Sequence, residues 1–295
     1  MSRLRNGRED STGVGTMHVW IGTSGYSYPD WVGEFYPEGT PSSRMLSHYC
    51  RHFPAVELNF TFYKTPTRAA LTRLADKTPS DFQFLVKVPR SISHDHNPLD
   101  LPGFRHAVEG LSRRGQLAGL LAQFPQSMHC TRPACDWITT LSRELSHLSL
   151  GVEFRHRSWS RSGLPAWLAE KRINLVAVDA PPLPGLFPSG WVQSTSTAYV
   201  RLHSRDAGKW YAGGGGRYDY DYTDDELGEW IDELERRNEE GGTERALLMF
   251  NNCQRGQAVV NARRMRALLE ARAPQLNVVS PFAPPLPVQK TLFEV

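Results

Sequence analysis

The sequence predicts a single-domain α/β fold, a (β/α)8 barrel of the TIM type with flexible termini, and three observations carry that prediction. From Met17 onward the chain repeats one pattern: a short apolar or β-branched run, a polar or glycine-rich turn, then an amphipathic helical stretch. The runs number about eight, as a closed parallel barrel requires. The length of 295 residues, 40% hydrophobic and 22% charged, suits one large domain or two small ones. An open doubly wound sheet is the alternative, disfavoured because no glycine-rich phosphate turn follows the first run.

In chain order, strands are expected at His18–Gly22, Ala55–Phe60, Phe82–Val88, Leu117–Phe124, Leu150–Arg155, Ile173–Asp179, Ala198–His203 and Ala246–Asn251. Helices are expected at Pro41–Arg51, Pro66–Lys77, Pro133–Leu145, Asp224–Arg237 and Gly256–Ala271. Thr223 before Asp224, Asp225 and Glu226 is an N-cap followed by acidic residues that complement the helix dipole. Between Pro181 and Gly190 the prolines leave room for a loop or short turn, so the sixth unit is expected to lack a full helix. Residues 1–16 are polar, with Arg3, Arg5 and Arg8, and read as a disordered leader. The barrel is expected over 17–272 and a proline-rich tail over 273–295.

Net charge is only +3, too small by itself to name a polyanion as partner. Cys50, Cys130, Cys135 and Cys253 form no CxxC pair, which argues against a disulfide-stapled secreted domain and for a reducing cytoplasm. No apolar run approaches the roughly 18 residues of a membrane span, and no signal-peptide core stands at the N-terminus.

The stretch Ala55–Pro66 shows what the barrel is for. Alternation puts Val56 and Leu58 on one face and Glu57 and Asn59 on the other. A doubly buried strand should be apolar throughout, so a carboxylate and an amide on its inner face need a reason. The same parity turns Glu153 and Arg155 inward against Val152 and Phe154, and Arg201 with His203 inward in the seventh run. The other strand ends offer Lys87, Gln123, Asp179 and Asn251 or Asn252. One such residue is explained by a satisfied internal hydrogen bond; polar groups at seven strand ends describe a solvated, ligand-sized pocket.

These residues lie within a set of motifs. They are Ile21-Gly-Thr-Ser-Gly-Tyr-Ser-Tyr28 with Trp31, Glu57-Leu-Asn-Phe-Thr-Phe-Tyr63, Phe84-Leu-Val-Lys-Val-Pro-Arg90 and Leu121-Ala-Gln-Phe-Pro125. Glu153-Phe-Arg155 with Ser158-Trp159, Tyr199-Val-Arg-Leu-His203 with Trp210-Tyr211, and Phe250-Asn-Asn252 with Gly256 and Asn261-Ala262 complete it. In this order they resemble the YecE-like family, a domain-of-unknown-function family, from Gly22 to Ala262. The resemblance implies a TIM-type barrel with no settled reaction. Likeness of that barrel to the endonuclease IV type of DNA-repair enzyme is an analogy of fold alone, pointing toward nucleic acid. Ser24, Tyr26 and Tyr63 in these motifs join the expected substrate-binding residues.

Glu57 and Glu153 are candidates for an acid/base pair, with Asp179 and His203 beside them; the competing reading is that Arg155, Arg201 or Lys87 neutralises the glutamates. Lys87, Arg90, Arg155, Arg201 and Arg205 suit a phosphate or carboxylate. Lys87 as a Schiff-base lysine is a minor reading, since nearby carboxylates oppose the required loss of charge. A divalent metal on His94, His96 and the inner carboxylates is also minor, because cations crowd the same strand ends; no cofactor is expected. Trp31, Trp159, Trp210 and Tyr211 would lie near the mouth and stack on a ring. The glycine run within Trp210–Tyr222 reads as a lid hinge or as a packed surface loop. Cys253 reads as an inert thiol.

The leading expectation is a hydrolase acting on a phosphate- or nucleic-acid-derived substrate at the barrel mouth. A non-catalytic binder of an anionic metabolite and a carbohydrate-active hydrolase are the alternatives. Gln289-Lys-Thr-Leu-Phe293 resembles the peptide with which bacterial repair proteins dock on the DNA sliding clamp, with Gln289, Leu292 and Phe293 as contacts. Folding back of Leu292 and Phe293 onto the barrel bottom is the alternative there.

Overall fold

A computed structural model describes residues 16–213 and 215–282. Strands and helices alternate: β1 (His18–Ser24), α1 (Ser42–Tyr49), β2 (Ala55–Leu58), α2 (Arg68–Ala75), β3 (Gln83–Lys87), α3 (Arg90–Ser93) and α4 (Leu101–Arg113). They continue with β4 (Leu117–Gln123), α5 (Arg132–Glu144), β5 (Leu150–Glu153), α6 (Leu164–Glu170), β6 (Ile173–Leu175) and β7 (Ala177–Asp179). The last are β8 (Thr197–Leu202), α7 (Asp224–Glu240), β9 (Arg245–Phe250), α8 (Gln257–Arg272) and β10 (Asn277–Val278). Among the described residues all pairings between these strands are parallel, in the order β6-β5-β4-β3-β2-β1-β9-β8-β7.

β6 and β7 act as one stave. β6 pairs with β5 and β7 with β8, and Val176 between them donates its N–H to Val152 O. The ring therefore closes as an eight-stave TIM-type barrel, with β10 added beside the start of β1. No helix follows β7, as its prolines require. Instead Ser189 Oγ bonds Val178 O and Ala180 N, and Ser194 Oγ bonds Ile173 O and Leu175 N, which satisfies the stave's free backbone groups.

Three helices, α3, α4 and α6, fall outside the expected set, and α3 is a single turn. α4 carries Pro102 in its first turn, where a proline costs no hydrogen bond, followed by Gly103; together they look like a break. α6 is only seven residues long and also opens on a proline. α7 begins at the expected cap: Thr223 Oγ1 accepts from Glu226 N while the Glu226 carboxylate accepts from Thr223 N.

Strand parity divides the core. Outward residues such as Val56, Leu58, Val152 and Phe154 pack on the helices. Ala55, Leu85, Leu121, Val176, Tyr199, Leu247 and Met249 fill the barrel's lower interior. Gly151 makes room for this layer, since a Cβ there would stand 3.2 Å from the Tyr199 ring and 3.1 Å from Val176. The tail expected from 273 starts as part of the body: Ala273 and Leu276 are buried, and β10 pairs His18 with Asn277. Residues 1–15 of the leader, and the peptide holding Gln289, Leu292 and Phe293, lie outside the described residues. Among the described residues no helix is long and apolar enough to cross a membrane.

Candidate functional site

Above the apolar layer the barrel interior becomes charged, and Arg201 of β8 is its centre. Only 1% of its side chain is exposed. Nε lies 2.8 Å from Glu57 Oε2, Nη2 lies 2.7 Å from Glu57 Oε1 and 3.3 Å from Ser24 Oγ, and Nη1 donates to Glu153 Oε2. The Tyr199 hydroxyl donates to the same Glu57. Arg155 Nε stands 2.5 Å from Glu153 Oε1. His203 lies behind them: Asn251 Nδ2 donates to its Nδ1 at 2.8 Å, and Nε2 is 3.6 Å from Glu153.

These contacts set the charges. Burial pushes the Glu57 carboxyl up, but the charge and hydrogen bonds of Arg201 more than reverse it and leave it below its usual value. For Glu153, burial is overcome by Arg155 and then Arg201, and its carboxyl falls well below the usual range. Burial and the Arg155 charge push His203 down to about 3, so it is neutral. Glu57 and Glu153 are thus ionised at neutral pH, with neither side chain exposed, and in this geometry they serve as counterions that fix Arg201. Two guanidinium groups and two carboxylates cancel.

Over this floor opens a cavity of about 670 Å³ at the strands' C-terminal ends. Of the expected site residues, Tyr26, Asn59, Tyr63, Lys87, Gln123, Arg155, Arg201 and Asn251 line it. Lys87, at the end of β3, is the additional cation, and among the described residues its ammonium has no ion pair. Nζ stands 4.6 Å over the Phe62 ring. Burial and repulsion by Arg201 outweigh the attraction of Glu57 and Glu153 and lower its pKa to about 8.

Other expected residues lie elsewhere. Asp179 faces the helices: it accepts from both Nε and Nη2 of Arg205 and from Trp230 Nε1 of α7, and so stands apart from the inner carboxylates. Its neighbour Val176 points inward, and period two then carries Asp179 outward. Arg205 is held by Asp179 and Glu229. Asn252 also faces outward, donating to Tyr220 O and Asn261 Oδ1. Trp159 is buried behind β5, stacked on Phe154 at 4.1 Å with its Nε1 on Met128 O, so it offers no face to a ligand.

Trp210 is buried, edge-on to His203 and beneath Arg155, and it braces the wall without reaching the cavity. Tyr211 is exposed and meets Gln126. Arg90 is also exposed and pairs with Asp95 at 3.7 Å, outside the cavity. Ser24 lies under the floor.

The site also contains residues that parity did not find. The chain leaves β2 as a 3-10 turn over Phe60–Phe62, and this brings Phe60 and Phe62 beside Tyr63 into one wall. Tyr28 and Tyr218 complete the aromatic lining; Tyr218 comes from the glycine loop, where Gly215 has φ +86°. Cys253 touches the cavity, but burial pushes its thiol up to about 12, consistent with an inert group. His94 Nδ1 meets Ser93 Oγ, and His96 stacks on Trp137. Among the described residues no cluster of three His, Cys, Asp or Glu is arranged to hold a metal.

Comparisons with known proteins agree with this architecture. UPF0759 protein YunF of Bacillus subtilis is 26% identical over 276 residues, 85% of this chain and 95% of that protein. UPF0759 protein YecE of Escherichia coli is 30% identical over 180 residues, 56% of this chain and 60% of its own. The crystal structure of a DUF72 family protein from Thermotoga maritima is similar with a TM-score of 0.77 and 37% identity, covering 86% of this chain and 99% of that one. A DUF72 family protein from Enterococcus faecalis shares the fold at a TM-score of 0.76 and 22% identity, over 91% of this chain and 99% of that one. With a family match that runs over residues 20–287, the chain belongs to DUF72, a family described as protein of unknown function.

Proposed function

We propose that the protein is an enzyme acting on a small substrate that bears a phosphate or carboxylate, nucleotide-sized or smaller, in the cavity at the barrel mouth. One observation carries this reading: the four charges of Arg201, Arg155, Glu57 and Glu153 cancel, and the ammonium of Lys87 is left facing the cavity with no ion pair among the described residues. An anionic substrate supplies the missing partner. The volume of about 670 Å³ matches small-molecule sites. Phe60, Phe62, Tyr63 and Tyr218 give the walls apolar faces for a ring or base.

A thermal-shift screen of the full chain against nucleotides, sugar phosphates and keto acids tests the reading. A ligand at a hundred times its Kd should add about 2.7 kcal/mol of stability, and Lys87→Met should remove the effect. No shift with any anion, or an equal shift in Lys87→Met, would overturn it.

A further inference from the structure

We propose that Lys87 Nζ is a nucleophile that forms an imine with its substrate, so that the substrate is an aldehyde or ketone that also carries a phosphate or carboxylate. The inference rests on the functional reading above and adds the reaction class.

The argument begins with what surrounds the amine. Both inner carboxylates are held by arginines, so neither forms an ion pair that would lock the proton on the Lys87 amine. Phe62 places an aromatic face 4.6 Å from Nζ, and the amine borders a cavity that a substrate can enter. Burial and the Arg201 charge bring its pKa to about 8, which leaves on the order of a hundredfold more free amine at neutral pH than an ordinary lysine has.

The chain's basic residues are mostly arginine, and its lysines are Lys64, Lys77, Lys87, Lys171, Lys209 and Lys290. Lys87 alone among the described lysines lines the cavity. Arginine at this position would match its charge but could not release the proton that frees a nitrogen lone pair.

The neighbouring groups fit the step. Arg155 also lines the wall, and although Glu153 offsets its charge, its guanidinium keeps further N–H donors for the substrate's anion. Asn59, also on the wall, supplies an amide suited to hydrogen-bond the hydroxyl of the addition intermediate. The ammonium first loses a proton. Its lone pair then forms the C–N bond as the carbonyl π bond opens onto oxygen. That oxygen takes one proton from nitrogen and the one first released, and leaves as water. Ammonium and carbonyl compound thus become iminium and water, with no oxidant or reductant needed.

Reductive trapping tests this. The full chain is incubated with glyoxylate, pyruvate or dihydroxyacetone phosphate, one probe at a time, in the presence of sodium borohydride, and every lysine peptide is mapped by mass spectrometry. The expected result is a secondary-amine adduct concentrated at Lys87, rising as pH passes through 8 and absent in Lys87→Arg. No adduct at Lys87 with any of the three probes would overturn the inference, as would equal labelling of Lys64, Lys77 and Lys209. A missing adduct combined with anion stabilisation that depends on Lys87 in the thermal screen sinks the imine and leaves the functional reading standing.

Discussion

Arg201 grips Glu57 across the barrel with two hydrogen bonds, 2.8 Å from Nε and 2.7 Å from Nη2, while its third nitrogen reaches Glu153. One guanidinium thereby satisfies two buried carboxylates, and the pair expected to exchange protons is held ionised.

Removing that guanidinium leaves two buried charges short of a partner. Arg201→Met should cost about 3–5 kcal/mol, the usual effect of breaking a buried pair from one side, read as a fall in urea midpoint. A loss under about 1 kcal/mol would mean that the glutamates relax into solvent or become protonated on folding.

Lys87 has the opposite sign. Its folded pKa of about 8 lies below the unfolded lysine value, so the charged form disfavours the fold at neutral pH, and stability should rise as pH climbs from 8 through the unfolded value. Lys87→Met should therefore stabilise the free protein at pH 7 by about 1–2 kcal/mol, at the low end because solvent reaches part of the side chain. Unchanged or lower stability by denaturant titration would contradict the depressed pKa.

His203 gives a pH window. Its folded pKa of about 3 lies below the unfolded histidine value, so the unfolded chain binds the extra proton between about pH 6.5 and 3. Stability is present above pH 6.5 and falls as pH drops, by up to about 1.4 kcal/mol per unit from this group. His203→Gln, compared with the parent from pH 7 to pH 4, should lose that share of the slope; parallel curves would show that His203 titrates normally.

Two substitutions separate fold from site. Asp179→Asn weakens the Arg205 ion pair on the helix side and should cost about 1–3 kcal/mol while leaving ligand-induced shifts intact. Tyr63 is 85% exposed on the cavity wall; Tyr63→Ala should change stability by under about 0.5 kcal/mol yet weaken a ring-bearing ligand several-fold. Ligand binding that responds to Asp179 and ignores Tyr63 would reverse the assignment.

The sequence made the inner face legible wherever apolar residues alternate with polar ones. Val56 and Leu58 frame Glu57, and Val152 and Phe154 frame Glu153, so parity alone sends these carboxylates inward. It failed where the pattern is uniform. Ile173–Ala180 is apolar on both faces apart from Asn174 and Asp179, and nothing in it tells that Val176 faces in. Asn251 and Asn252 are adjacent, and only contact with His203 and Asn261 separates their directions. Trp31, Trp159 and Trp210 stand on turns, where no periodicity applies, and the core claims all three, Trp31 with its Nε1 on Cys253 O. The lysine's altered acidity depends on burial and then on Arg201, 114 positions away in the chain, and no local pattern records either.

The stave shared by β6 and β7 gives each neighbour only three residues, so the ring has a thin seam between β5 and β8. Glu153 belongs to β5 and Arg201 to β8, and their ion pair spans that seam from the inside. The charged floor is thus also a clasp. Loosening it should quicken amide exchange first in β6 and β7, so the groups that shape the cavity also keep the wall beside it shut.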